Sequence, residues 1–176
     1  MLSVPTIRPI DDSDQQRLQA FLATIPPADQ AFFKDRAAPD LASRLTGDDA
    51  LRFAAVDGED IVGLVSVHPG AGASSHTGEV TLIVSPNARR RGVGRALARE
   101  ALLGAVAHGL THIYVEVAAE EVGTRHMFEQ FGFMPEAVLR DFIRDSNGDH
   151  HDLILLTHSV PEHWSGNHTL GLGGEL

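Results

Sequence analysis

The segment SPNARRRGVGRA, residues 85–96, decides how the chain reads. It places Arg89, Arg90, Arg91 and Arg95 beside Gly92 and Gly94, in a chain with only 14 lysines and arginines. Before it, Glu79-Val80-Thr81-Leu82-Ile83-Val84 is apolar and β-branched and predicts a strand. After it, Val93, Leu97 and Ala101 recur every four residues and predict a helix from Val93 to His108. A strand-to-helix turn with glycines and local positive charge is suited to holding an anion. Glycine lets the backbone approach closely, the helix N-terminus offers free N–H groups, and arginine adds charge-assisted hydrogen bonds. A surface turn with merely solvated arginines is the alternative reading of this segment taken alone. The spacing G-x-x-x-x-G-K-[ST] is absent, as is G-x-G-x-x-G, so a P-loop and a dinucleotide fingerprint are excluded.

At 176 residues, with 43% apolar and 22% charged residues, the chain has the composition of a soluble globular protein. Its formal charge of −10 argues against nucleic-acid binding, which depends on neutralising phosphates with Lys and Arg. The same charge is compatible with a cationic or amine partner. No cysteine is present, which removes disulfides, thiolate chemistry and Cys-based metal sites. Residues 1–14 lack a basic stretch followed by an apolar one, and no apolar run approaches the roughly 20 residues needed to span a bilayer. The expectation is a cytoplasmic protein without membrane contact.

Outward from the turn, the chain alternates helices and strands. Thr6 to Ile10 predicts a strand. Asp11-Asp12-Ser13-Asp14 supplies N-cap chemistry for a helix carrying Leu18, Phe21, Leu22 and Ile25, ended by Pro26-Pro27. Short helices are expected over Ala28–Lys34 and Asp40–Leu45. Leu51–Val56 and Ile61–Val67 flank the hairpin signal Asp57-Gly58-Glu59-Asp60. Thr111–Val117 predicts a strand and Glu121–Gln130 a helix closed by Gly132. Strands at about Ala137–Ile143 and His151–His158 flank a turn at Asn147-Gly148. The order predicts a mixed α/β fold, with a central sheet of about six or seven strands flanked by helices. We expect one domain over residues 1–160 and a Gly-rich tail over 161–176. That tail is read either as disordered or as packing Trp164 on a second subunit, which leaves a homodimer open.

These residues resemble the GCN5-related N-acetyltransferase (GNAT) family. Val84-Ser85-Pro86 followed by Arg89-x-x-Gly92-x-Gly94 is similar to its acyl-CoA-binding motif. Glu116-Val117 and the run Phe128-Glu129-Gln130-Phe131-Gly132-Phe133 are similar to its second motif, and the element order over about residues 5–158 matches as well. The resemblance implies an acyl-CoA N-acyltransferase fold and direct transfer of an acetyl group from acetyl-CoA to an amine, small molecule or protein. It implies that the backbone of Leu82, Ile83 and Val84 pairs with the pantetheine arm. Arg89, Arg90, Arg91, Gly92, Val93, Gly94 and Arg95 would hold the pyrophosphate.

For catalysis the resemblance offers Glu116 and Glu79 as candidate bases, with Tyr114 two residues before Glu116 on the same sheet face. A solvated or Arg-paired carboxylate is the ordinary reading of either. Two positions depart from the family. Phe128 stands where many relatives have a tyrosine that protonates the leaving thiolate, and Glu121, or Glu120, stands where relatives often have an asparagine. The departures make an acyl-CoA-binding sensor without turnover the main alternative to an enzyme. A module whose Arg turn meets an acidic protein is the second. Ten histidines, among them the adjacent His150-His151, show no ligand spacing, so no metal is expected. His76 is either a loop residue or part of an acceptor cleft whose loops cover roughly residues 26–48 and 69–77.

Overall fold

The computed structural model describes residues 5–30 and 49–160. The expected helix over Asp40–Leu45, the end of the one over Ala28–Lys34, and the tail with Trp164 lie outside the described residues. The strands are β1 (Thr6–Pro9), β2 (Leu51–Asp57), β3 (Asp60–Pro69), β4 (Thr77–Val84), β5 (His112–Ala118), β6 (Met134–Arg144) and β7 (His150–Ser159). The helices are α1 (Gln15–Ala23), α2 (Pro27–Gln30), α3 (Val93–Ala107) and α4 (Val122–Gln130). They form one mixed sheet in the order β1-β2-β3-β4-β5-β7-β6, antiparallel except between β4 and β5. A parallel pair cannot be closed by a tight turn, and α3 supplies the crossover.

Each sheet face is covered by the helix whose apolar stripe fits it. Val93, Leu97, Ala98, Ala101, Leu102 and Ala105 of α3 are buried against Val65, Val67 and Val80. Gly63 on β3 permits this approach, since a Cβ there would lie 2.8 Å from Leu97 Cδ1. On the other face Leu18, Phe21 and Ile25 pack on Ala54, Ile61, Leu64 and Ile83. The entry to α1 is fixed by a capping box, Asp11 accepting from Ser13 N–H and Asp14 from the Asp11 N–H. Asp14, fully buried, also receives both Nη groups of Arg8 at 2.7 Å each.

The end of α4 is closed as expected by Gly132, whose φ of 87° suits a left-handed C′ position. Gly132 N–H bonds to the Glu129 carbonyl and Phe133 N–H to that of Phe128. This return tucks Phe128, Phe131 and Phe133 into the main core. The Asn147-Gly148 turn forms as a hairpin tip, with Asp145 accepting from the N–H of Asn147 and of Asp149. β6 is longer than expected and irregular: between Leu139 and Ile143 it carries a bulge, with Asp141 at φ 52° and its N–H bonded to Asp152.

Candidate functional site

The site begins where the sheet comes apart. β4 and β5 pair over four rungs only, from Thr77↔His112 to Val80↔Val115. Beyond them β4 stays on β3, with Thr81 opposite Ser66 and Val84 opposite Gly63. β5 stays on β7, with Glu116 opposite Leu155 and Ala118 opposite Leu153. The two strands therefore fork, and their inner edges form no ladder past Val80 and Val115. A cleft of about 730 Å³ fills the fork, lined by residues 79–84 and 115–118, the Arg–Gly turn and the start of α4.

At the mouth of the fork lies the turn. Arg90 and Gly92 both have positive φ, 59° and 79°, with Arg91 between them outside that region. Such alternation brings successive N–H groups to one side and favours an anion. Gly92 is the N-cap of α3 and supplies no side-chain cap, so the first-turn N–H groups have no side-chain acceptor.

The arginines divide the work. Arg89 donates through Nε to the Val84 carbonyl at 3.1 Å and pairs with Asp29 of α2. Arg91 turns away to Asp57 at 3.1 Å and does not line the cleft. Arg95 reaches Gln130 at 2.5 Å and stacks over the Phe131 ring at 5.1 Å. Arg90 lines the cleft and has no partner among the described residues.

At the inner end of the fork stand the carboxylates. Glu79 and Tyr114 occupy the same rung, and the Tyr114 hydroxyl donates to Glu79 at 3.3 Å. Glu116 is the first β5 residue past the last rung and lines the cleft with Glu79, whereas Tyr114 does not. Phe128 lines the cleft too, 1% exposed and set edge-on to Phe133 at 5.1 Å. Thr81, an unremarkable strand residue in sequence, also faces the fork.

Glu121 heads α4 at the cleft. Loss of hydration pushes its carboxyl above the usual range, Asp29 and Glu120 add to the rise, and Thr124 and Arg89 oppose it. Glu120 is held by His151, whose Nδ1 lies 2.9 Å from it while Nε2 lies 3.1 Å from Asp145. These hydrogen bonds, Glu120 first and then Asp145, raise the His151 pKa and lower both carboxyls. His151 thus ties the β6–β7 hairpin to the loop that walls the cleft. His76 does not line the cleft; it is exposed and stacks edge-on with His112 at 5.3 Å.

Forked parallel strands with an Arg–Gly turn at the mouth leave an open cleft between two strands of a mixed α/β sheet. The sequence model of the acetyltransferase (GNAT) family matches residues 16–133, and the chain belongs to that family. The fold is shared with an N-acetyltransferase from Staphylococcus aureus Mu50 (TM-score 0.77, 16% identity, 90% of this chain and 100% of that one). It is shared with the ribosomal-protein-alanine N-acetyltransferase of Brucella melitensis (TM-score 0.76, 21% identity, 88% and 99%). A putative acetyltransferase from Salmonella typhimurium, solved with its cofactor acetyl-CoA, is similar as well (TM-score 0.75, 19% identity, 93% and 98%). No curated protein matches the sequence.

Proposed function

We propose that the protein is an acyl-CoA-dependent N-acetyltransferase that moves an acetyl group from acetyl-CoA to an amine. The observation that carries this reading is the β4–β5 fork, opening at Val80↔Val115 onto the uncapped N-terminus of α3. Acetyl-CoA supplies a thioester whose carbonyl carbon accepts the amine and whose sulfur departs. The N–H groups of Val93, Gly94 and Arg95, with the Arg90 guanidinium, hold its pyrophosphate. The inner edge of Leu82, Ile83 and Val84 pairs with the pantetheine as an added strand would. Arg89 and Arg95 shape this mouth through Asp29 and Gln130. Arg91 braces the turn from behind through Asp57.

Glu116, at the apex of the fork, takes the amine proton, and Glu79 with Tyr114 borders the acceptor's approach. Direct attack needs no side-chain nucleophile. Phe128 donates nothing to the leaving sulfur, but a thiol with a pKa of about 8.5 departs tolerably as thiolate near neutrality. Glu79 and Glu116 line the inner end of the cleft, and Asp29, Glu120 and Glu121 line it as well, an acidic lining that supports a cationic amine acceptor.

The experiment is a screen of amine acceptors with acetyl-CoA, reading free thiol, with Gly94→Val as the blank. Amine-dependent thiol release by the natural chain alone supports the enzyme. Release equal in both proteins contradicts it. The buried Phe128 favours one second reading, a sensor that binds acyl-CoA without turnover; then no amine stimulates release while binding persists.

A further inference from the structure

The contacts of His151 with Glu120 and Asp145 are complete in one protonation state only. Its Nδ1 lies 2.9 Å from Glu120 Oε1 and its Nε2 lies 3.1 Å from Asp145 Oδ2. An ionised carboxylate only accepts hydrogen bonds, so both ring nitrogens must carry a proton, and the ring is then an imidazolium. A neutral imidazole has one N–H and gives up one of the two partners. The carboxylates are not equal at that point. Asp145 belongs to the same hairpin as His151 and has 18% of its side chain exposed, whereas Glu120 comes from the β5–α4 loop and has 60% exposed. Water replaces a lost donor more readily at Glu120, so the neutral ring keeps Asp145 and lets Glu120 go.

The released side chain belongs to the cleft wall. The backbone beside it stays in place: Ala119 N–H bonds to the Asp152 carbonyl and Ala118 pairs with Leu153, neither through the ring. The other charged groups nearby have settled places. Arg144 meets His150 at 3.1 Å, Asp152 accepts the Asp141 N–H, and Asp149 is exposed in the turn. Glu121, next along the loop, feels Thr124, Asp29 and Arg89. Among the described residues no histidine lines the cleft itself. We propose that His151 is a positioning residue for the acceptor: as imidazolium it holds Glu120 to the hairpin and offsets its charge, and on losing its proton it frees Glu120 to pair with a cationic amine in the cleft. This rests on the reading of the cleft as an amine site. The bond to Glu120, and then that to Asp145, moves the change above the ordinary histidine value of about 6.5.

The test needs no acyl donor. Butylammonium chloride is titrated into the natural chain, Glu120→Gln and His151→Asn at pH 5.5 and pH 8.5, with backbone amide and histidine ring signals followed by NMR. The probe stays charged throughout, since an alkylamine ionises near the lysine value of about 10.4. The natural chain is expected to bind it about 2- to 5-fold more tightly at pH 8.5, the range of one exposed ion pair. His151→Asn should show the tighter value at both pH values and Glu120→Gln the weaker one at both. In Glu120→Gln, which alters an exposed side chain and keeps the fold, the His151 ring should also titrate lower. Equal affinity of the natural chain at both pH values, or a Glu120→Gln that retains the change, overturns the proposal while the amine reading stands. A natural chain that binds no butylammonium at either pH removes the amine reading itself, and this inference with it.

Discussion

The Tyr114 hydroxyl donates to the Glu79 carboxylate at 3.3 Å across the last rung but one before β4 and β5 separate. The pair fastens the closed part of the sheet just below the cleft, with Glu116 one step into the open part. In the proposed acetyl transfer, that division gives the two carboxylates different tasks. Glu116→Gln should keep coenzyme A binding and lower amine-dependent turnover by at least about tenfold, given that a general base contributes roughly 10²–10⁴. Glu79→Gln should act less on kcat and more on the KM of the amine. The reverse ranking, measured as kcat and KM for one acceptor, contradicts the assignment.

Asp14 is the most consequential buried charge in the described structure. Its carboxyl is held below the usual range, first by the Arg8 hydrogen bond, against a desolvation that opposes it. A lowered value means that its stabilisation is present above about pH 4 and is lost as pH falls through the folded pKa. Asp14→Ala also removes the acceptor for the Asp11 N–H, so a loss of roughly 2–4 kcal/mol is expected near neutrality. Denaturant titration at pH 7 and pH 3 checks both statements: the variant's deficit should shrink at the lower pH.

The His151 bracket has the opposite sign. Its raised pKa makes its contribution complete below the ordinary value of about 6.5 and lost as pH rises through the folded one. Glu120 and Asp145 are lowered, so their share persists down past about pH 4. Melting curves of His151→Asn should therefore fall further below the natural chain at pH 5.5 than at pH 8.5. An equal deficit at both pH values would mean that the bracket carries no charge-dependent stability.

Glu121 is an exposed acid at the cleft rim whose folded pKa is raised, so ionising it costs the folded state slightly more than the unfolded one, an effect that solvent screening keeps small. Stability is lost as pH rises from the ordinary value of about 4.3 through the folded pKa. Glu121→Gln removes that loss and should melt higher than the natural chain at pH 7, with little difference at pH 4. A lower melting temperature at pH 7 would show that the carboxylate is needed as the head of α4.

The parts of this molecule written as local pattern were legible in its sequence. The strand before Ser85, the turn at Gly92 and the α3 stripe of Val93, Leu97 and Ala101 are short-range signals, and the structure has them where the spacing puts them. What sequence could not say depends on partners far along the chain. Arg91 looks equivalent to Arg89 and Arg90, yet Asp57, in a hairpin 34 residues away, draws it off the cleft. Asp29 reaches Arg89 across 60 residues. Thr81 reads as an ordinary β-branched strand residue; only the loss of its neighbour on β5 brings it to the cleft wall. The β6 bulge at Asp141 likewise rests on Asp152 of the partner strand, and no turn residue announces it.

The central claim is that the fork and turn hold coenzyme A, and direct titration by isothermal calorimetry tests it. The natural chain should bind coenzyme A at one site. Arg90→Asn, which keeps a residue tolerant of left-handed backbone, should weaken binding by removing one phosphate partner. Gly94→Val should abolish it: a Cβ there meets Leu82, Val84 and Met127 at ordinary 3.7 Å contacts, so the fold survives while the branched side chain crowds the mouth. Saturable binding lost in the folded Gly94→Val protein is the predicted result; a folded natural chain that takes up no coenzyme A contradicts the account.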